Sequence, residues 1–296
     1  MITLPAAVMA AGVPGTIDAE TGQATLVDLT VDPYKTFDNA AHVANGVALR
    51  NSTQGWIHLR GMPLTERLRA AYLYWNIADD RASGTNTKRA TFNGNKVTGV
   101  KVADSADACW GNVGNHTYRA NVRKYLSTTQ VNGNHEVVVQ FSGLTSTSGQ
   151  NAWSPMETQQ LRVNGATLVV IYTADAGQVF LYDNLNGSMF SGTANFTLNH
   201  VGALPGPGLL TMSGADGQRG GGHDNGSSNE TTFFNGIQIA GPPTAASDWD
   251  GSDGLPLTQL YDVHTHQVEL GDGPAILTYN ASGDCLVPVM FALQTP

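Results

Sequence analysis

Asn-Gly occurs seven times in this chain, at Asn45, Asn93, Asn132, Asn164, Asn186, Asn225 and Asn235, several of them between apolar or alternating segments. The dipeptide suits the two positive φ angles of a tight hairpin turn, so the chain reads as a series of antiparallel hairpins. Composition points the same way. Charged residues make up 13% of the 296 positions, and Lys occurs five times and Glu six against eighteen Asp. Strong helix formers are therefore scarce while turn formers are plentiful. A hydrophobic share of 41% supplies one large or two ordinary cores and excludes a disordered chain.

Short apolar or alternating runs predict strands at Ala70 to Trp75, Lys88 to Phe92, Val97 to Val102, Glu136 to Phe141, Ala166 to Tyr172 and Val179 to Tyr182. Phe196 to Leu198, Gly208 to Met212, Thr231 to Phe234, Ile237 to Ala240, Leu260 to Val263, Ala275 to Asn280 and Leu286 to Leu293 read likewise. The best helical segment is Arg119 to Leu126. A weak repeat relates Phe92-Asn93-Gly94 with its flanks to Phe234-Asn235-Gly236, each followed by a Tyr-containing strand, at Tyr118 and Tyr261, and then by a further apolar strand. Repetition of such a unit implies two related lobes. The expected fold is all-β, with two jelly-roll-like antiparallel sandwich lobes over 31–195 and 196–296 and long Gly/Asn-rich loops. Residues 1–30 form an N-terminal extension, apolar at its start, that is expected to dock on a neighbouring subunit.

A net charge of -9 gives no basic footprint for nucleic acid, and no run is long and apolar enough for a spanning helix. Cys109 and Cys285 form one long-range disulfide or remain two buried thiols, and their spacing does not decide between these. Asp248, Asp250 and Asp253, in a loop with two glycines, form a candidate Ca²⁺ site, although Gln259 stands where a closing bidentate acid is wanted. Asp262, His264 and His266 alternate along a strand and form a second candidate metal set. Tyr261 and Val263 have one parity and Val268 and Leu270 the other, which predicts a bulge near His266 that breaks the alignment. Trp110 and Trp249, in Gly- or Asp-rich contexts, are the candidate rings for stacking on a glycan. The glycine-dense stretch from Gly214 to Gly226 lacks the Lys-Ser/Thr ending of a phosphate loop. No catalytic signature is present, so the expectation is a protein that is not an enzyme.

Leu73-Tyr74-Trp75, Phe92-Asn93-Gly94, Cys109-Trp110, Tyr118-Arg119-Ala120-Asn121-Val122, Leu168-Val169-Val170-Ile171-Tyr172, Leu181-Tyr182-Asp183, Tyr261-Asp262-Val263 and Gly283-Asp284 follow one another in an order that resembles an uncharacterised family of bacterial secreted and cell-surface β-sandwich domains. The resemblance spans roughly residues 65–296. It implies an extracellular, adhesin-like surface module and implies no reaction. The favoured expectation is an extracellular structural or adhesive subunit that assembles with copies of itself into a filament through its N-terminal segment. The alternative is a lectin-like module that binds surface glycans with Ca²⁺ as cofactor. Neither involves nucleic acid or membrane insertion.

Overall fold

The computed structural model describes residues 25–50, 53–79, 87–107, 112–139, 162–189, 191–215, 217, 230–242, 248–249, 261–281 and 285–296. Seventeen strands account for almost all of its regular structure. In chain order they are β1 (Thr25–Val31), β2 (Lys35–Ala48), β3 (Gln54–Leu59), β4 (Leu68–Asp79), β5 (Arg89–Phe92), β6 (Asn95–Thr98), β7 (Val100–Ser105), β8 (Gly114–Asn121) and β9 (Gly133–Val138). There follow β10 (Arg162–Tyr182), β11 (Gly192–Leu198), β12 (Gly206–Ala215), β13 (Thr231–Phe234), β14 (Ile237–Ala240), β15 (Tyr261–Leu270), β16 (Ala275–Ala281) and β17 (Val287–Gln294).

The chain is all-β and builds two sandwich lobes, each with its own core. One sheet of the first lobe has the order β3-β9-β5-β6, and one sheet of the second runs β1-β11-β16-β13-β14. Between them lies the large sheet β15-β12-β17-β10-β4-β8-β7, with β2 also paired to β10. The repeat seen in the sequence is a repeat of topology. Strands β3-β9-β5-β6 correspond to β11-β16-β13-β14, and β10-β4-β8 to β17-β12-β15. Both lobes close their hairpin with the same device. Asn93 and Asn235 adopt φ 48° and 49°, followed by Gly94 and Gly236 at 73° and 79°, as the tight turn requires. Each asparagine then clamps the next strand: Asn93 N–H donates to Glu136 O and its Oδ1 accepts from Glu136 N–H, while Asn235 makes the same pair with Ile276. Asn93→Ala loses one of these bonds and puts a residue without asparagine's tolerance for positive φ in the left-handed region, so urea unfolding should show a loss of about 1–2 kcal/mol, matched by Asn235→Ala.

Other asparagine-glycine pairs depart from the hairpin expectation. Asn45-Gly46 and Asn164-Gly165 lie inside β2 and β10, and Asn186-Gly187 lies in the connection from β10 to β11. In the strand interiors glycine serves close approach instead. A Cβ on Gly46 would meet Val263 Cγ2 at 2.4 Å, and one on Gly165 would meet Tyr261 Cγ at 2.3 Å. These contacts belong to a third core between the lobes, formed by Phe37, Tyr72, Tyr74, Val169, Leu181, Tyr261 and their neighbours. The 21-residue β10 serves all three cores. Its even-numbered side chains Ala166, Leu168 and Val170 enter the first core and Phe180 and Tyr182 the second, while odd-numbered Val169, Ile171, Val179 and Leu181 face the interface.

Residue 195 falls within β11, and β1 pairs in parallel with β11 of its own chain, from Thr25↔Gly192 to Val31↔Leu198. Residues 1–24 lie outside the described part. The predicted helix at 119–126 is instead the end of β8 followed by a 3-10 turn at Arg123–Tyr125. Tyr118 and Tyr261 sit on corresponding strands but face different ways, Tyr118 into the first core and Tyr261 into the interface. No helix among the described residues is long and apolar enough to cross a membrane.

Candidate functional site

The bulge expected near His266 is absent. The β12–β15 ladder runs without a register shift from Gly206↔Leu270 to Ala215↔Tyr261. Parity misleads here because β15 is covered on both sides: Tyr261 and Val263 pack into the lobe interface while Val268 and Leu270 enter the second core. Asp262, His264 and His266 therefore share the face that carries Val268.

Asp248 joins them, so the two sets kept apart in the sequence meet. Trp249 anchors it. That ring is 2% exposed, lies edge-on to Tyr279 at 5.9 Å and fills the space that a Cβ on Gly214 would need. The reading of Trp249 as an exposed platform is thus corrected: it is a core ring under the loop. The neighbouring Asp248 carboxylate is buried, accepts from His266 Nε2–H at 2.6 Å and lies 4.0 Å from His264 Nδ1. Asp262 Oδ1 stands 3.7 Å from His264 Nε2, and the two imidazoles stack at 6.5 Å. Among the described residues, no three His, Cys, Asp or Glu side chains are placed to hold one metal ion. Asp250, Asp253, Trp110 and Cys109 lie outside the described residues. Cys285 is disulfide-bonded.

The corresponding strand of the first lobe carries a similar pairing. His116 on β8 points inward with Nδ1 2.5 Å from Asp104 Oδ1 and Nε2 4.0 Å from Asp79 Oδ2. Burial pushes the Asp104 carboxyl up, but hydrogen bonds from Lys101 and His116 outweigh it and hold the group below its usual range. Histidine–carboxylate pairs thus recur on corresponding strands of the two lobes, with His116 of β8 against Asp104 and His266 of β15 against Asp248.

A different cluster, missed in the sequence, lies at the edge of the lobe interface. Arg119 on β8 donates through Nη1 to Asp183 Oδ2, just beyond β10, and Tyr74 O–H donates to the same oxygen at 3.2 Å. The Arg119 guanidinium also lies over the ring of Tyr34, with Cζ 3.2 Å from its centroid, and Tyr72 meets Tyr34 edge-on at 6.0 Å. Tyr72, Tyr74 and Asp183 are buried, whereas Tyr34, in the β1–β2 turn, is 45% exposed. Burial raises the Asp183 carboxyl above its ordinary range despite the opposing Arg119 and Tyr74. Burial, reinforced by Tyr34, pushes the Tyr72 phenol up to about 12. Lys35 and Arg69 continue the strip, at 5.1 and 5.7 Å from the ring centroid of Phe37. The arrangement joins an exposed ring to fixed donors and acceptors, as recognition of a polar ligand with apolar faces requires.

No family model and no curated protein matches this chain. Solved structures it is similar to include the protein BuGH86 in complex with neoagarooctaose, at 10% identity and a TM-score of 0.29 over 88% of this chain and 33% of that one. A β-porphyranase of glycoside hydrolase family 86 from the human gut bacterium Bacteroides plebeius shows 12% identity and a TM-score of 0.25 over 81% of this chain and 38% of its own. A peptide-N(4)-(N-acetyl-β-D-glucosaminyl)asparagine amidase shows 12% identity and a TM-score of 0.28 over 87% and 96%. The chain spans about a third of the length of the first of these. The expectation that the chain is not an enzyme is corrected on these findings, since the similar structures include a named porphyranase and an amidase. At such TM-scores the likeness lends this chain neither their reactions nor their ligands.

Proposed function

We propose that this chain is a glycan-binding β-sandwich protein that holds a sugar chain on the strip of Tyr34, Arg119 and Asp183. The observation that carries this reading is the Tyr34 ring, nearly half exposed yet fixed between Arg119 and Tyr72. A pyranose offers apolar C–H faces to such a ring and hydroxyls to the guanidinium that buried Asp183 holds beside it. Because the ring is already held, binding orders little that was free, and affinity is not lost to side-chain entropy. An extracellular setting belongs to the reading and is supported by the disulfide at Cys285, which suits an oxidising compartment.

Affinity electrophoresis through gels containing a panel of neutral and acidic polysaccharides tests the proposal. The protein should be retarded by at least one of them, and Tyr34→Ala should weaken that binding about tenfold or more. Trp56, 49% exposed on β3 in the far sheet of the first lobe, supplies the control, and Trp56→Ala should migrate as the parent does. Unchanged retardation of Tyr34→Ala would remove the strip from the account. The same incubations, read for new reducing ends, report whether the bound chain is also cut.

A further inference from the structure

Beyond Phe37 the strip opens into a groove of about 870 Å³ where β2, β4, the 3-10 turn and β10 meet. Arg67, Arg69 and Arg123 line it with Asp38, Thr128 and Thr173. Three arginines converge there in a chain that has 15 Lys and Arg in all and a net charge of -9. Two of them are held in place by backbone. Arg69 Nη1 donates to the carbonyls of Asp38 and Asn39, the latter residue at φ 49°, and Arg123 Nε donates to Leu68 O at 3.1 Å. A guanidinium has five N–H donors, so each keeps most of them for an incoming group. Arg67 is exposed beside them. The nearby acids are engaged: Asp38 Oδ1 accepts from Gln178 Nε2 at 2.7 Å, and Glu66 Oε2 accepts from Thr173 Oγ1.

We infer that this groove takes an oxyanion substituent, a sulfate ester or a carboxylate, carried by the sugar chain held at Tyr34; the inference rests on the glycan-binding reading above. A planar guanidinium fork matches the paired oxygens of such a group, and neutral hydroxyls gain far less from it. The overall negative charge of the protein adds weight to the placement. Away from this groove an acidic glycan meets net repulsion, so the arginines set where and in which direction it lies.

Calorimetric titration of the whole chain and of the double variant Arg67→Gln/Arg123→Gln tests this, using dextran, dextran sulfate, polygalacturonate and inorganic sulfate as probes. The parent should bind dextran sulfate or polygalacturonate about tenfold or more tighter than dextran, and the preferred chain distinguishes sulfate ester from carboxylate. The variant should lose that margin while its affinity for dextran stays as in the parent. Raising NaCl to about 0.5 M should shrink the margin in the parent, because contacts between exposed charges are screened. A parent without the margin, or a variant that keeps it, overturns the inference and leaves binding at Tyr34 standing. If the parent binds none of the three polysaccharides, the glycan reading falls, and inorganic sulfate decides the groove by itself: binding that disappears in the variant supports an oxyanion site, and no binding, or equal binding, refutes one.

Discussion

Gly165→Ala should destabilise the protein by about 3 kcal/mol or more. The new Cβ would lie 2.3 Å from Cγ of Tyr261 and 2.4 Å from Cδ2. The ring has nowhere to go. It is fully buried in the core between the lobes, and its hydroxyl is tied to Thr167 Oγ1 at 2.8 Å. Relief requires β15 to move away from β10, and a close-packed interior resists such displacement. Denaturant unfolding of the single and double variants checks this reading. Against a Tyr261→Ala background the same glycine substitution should cost much less, giving a coupling energy of more than about 1 kcal/mol. Strictly additive costs would mean that the glycine is not there to admit the ring.

Acid should weaken the same interface. His42 on β2 reaches across to the second lobe, with Nε2 2.8 Å from Thr211 Oγ1 and Nδ1 3.2 Å from Gln294 Oε1. Burial lowers its pKa from 6.5 to about 4, against a smaller opposing contribution from Gln294. The unfolded chain therefore takes up the proton first as pH falls. Stability that is whole above pH 6.5 is lost progressively down to about pH 4, by roughly 3 kcal/mol from this residue. His135 and His200, also lowered by burial, act in the same direction. Asp183 acts the other way: its raised pKa gives stability that is full below the ordinary carboxylate value and lost as pH rises, so it offsets part of the decline. Unfolding free energies at pH 7 and pH 4.5 should differ by a few kcal/mol in the parent and by clearly less in His42→Gln. A variant as acid-sensitive as the parent would place the titration elsewhere.

The parts of the fold that local chemistry dictates were legible in the sequence. Asn93-Gly94 and Asn235-Gly236 announce their turns because positive φ at two successive residues selects that dipeptide. Asn45-Gly46 and Asn164-Gly165 carry the same letters for another reason, the approach of Val263 and Tyr261, which only the packing of one lobe on the other supplies. The repeat could be read from its hairpins, but the strands that cross between lobes could not, since β2 alternates between two cores and β10 serves all three along one strand. At β15 the parity rule failed because it assumes a strand with one wet face. Covering both sides lets Asp262, His264 and His266 share a face with no bulge. The Tyr34 strip was hidden more deeply. Arg119 and Asp183 are 64 positions apart, and nothing in either local pattern sets them together.

Saturation-transfer NMR on an oligosaccharide bound by the parent, Tyr34→Ala and Trp56→Ala decides whether the sugar lies on Tyr34, because it reports which sugar protons lie against the protein and the two variants assign the ring. Irradiating the aromatic protons of the parent should transfer saturation to the C–H protons of one sugar face. That transfer should vanish in Tyr34→Ala and persist in Trp56→Ala. Transfer that survives loss of the Tyr34 ring, or disappears with Trp56, would contradict a glycan site at the lobe interface and move it to the outer sheet of the first lobe.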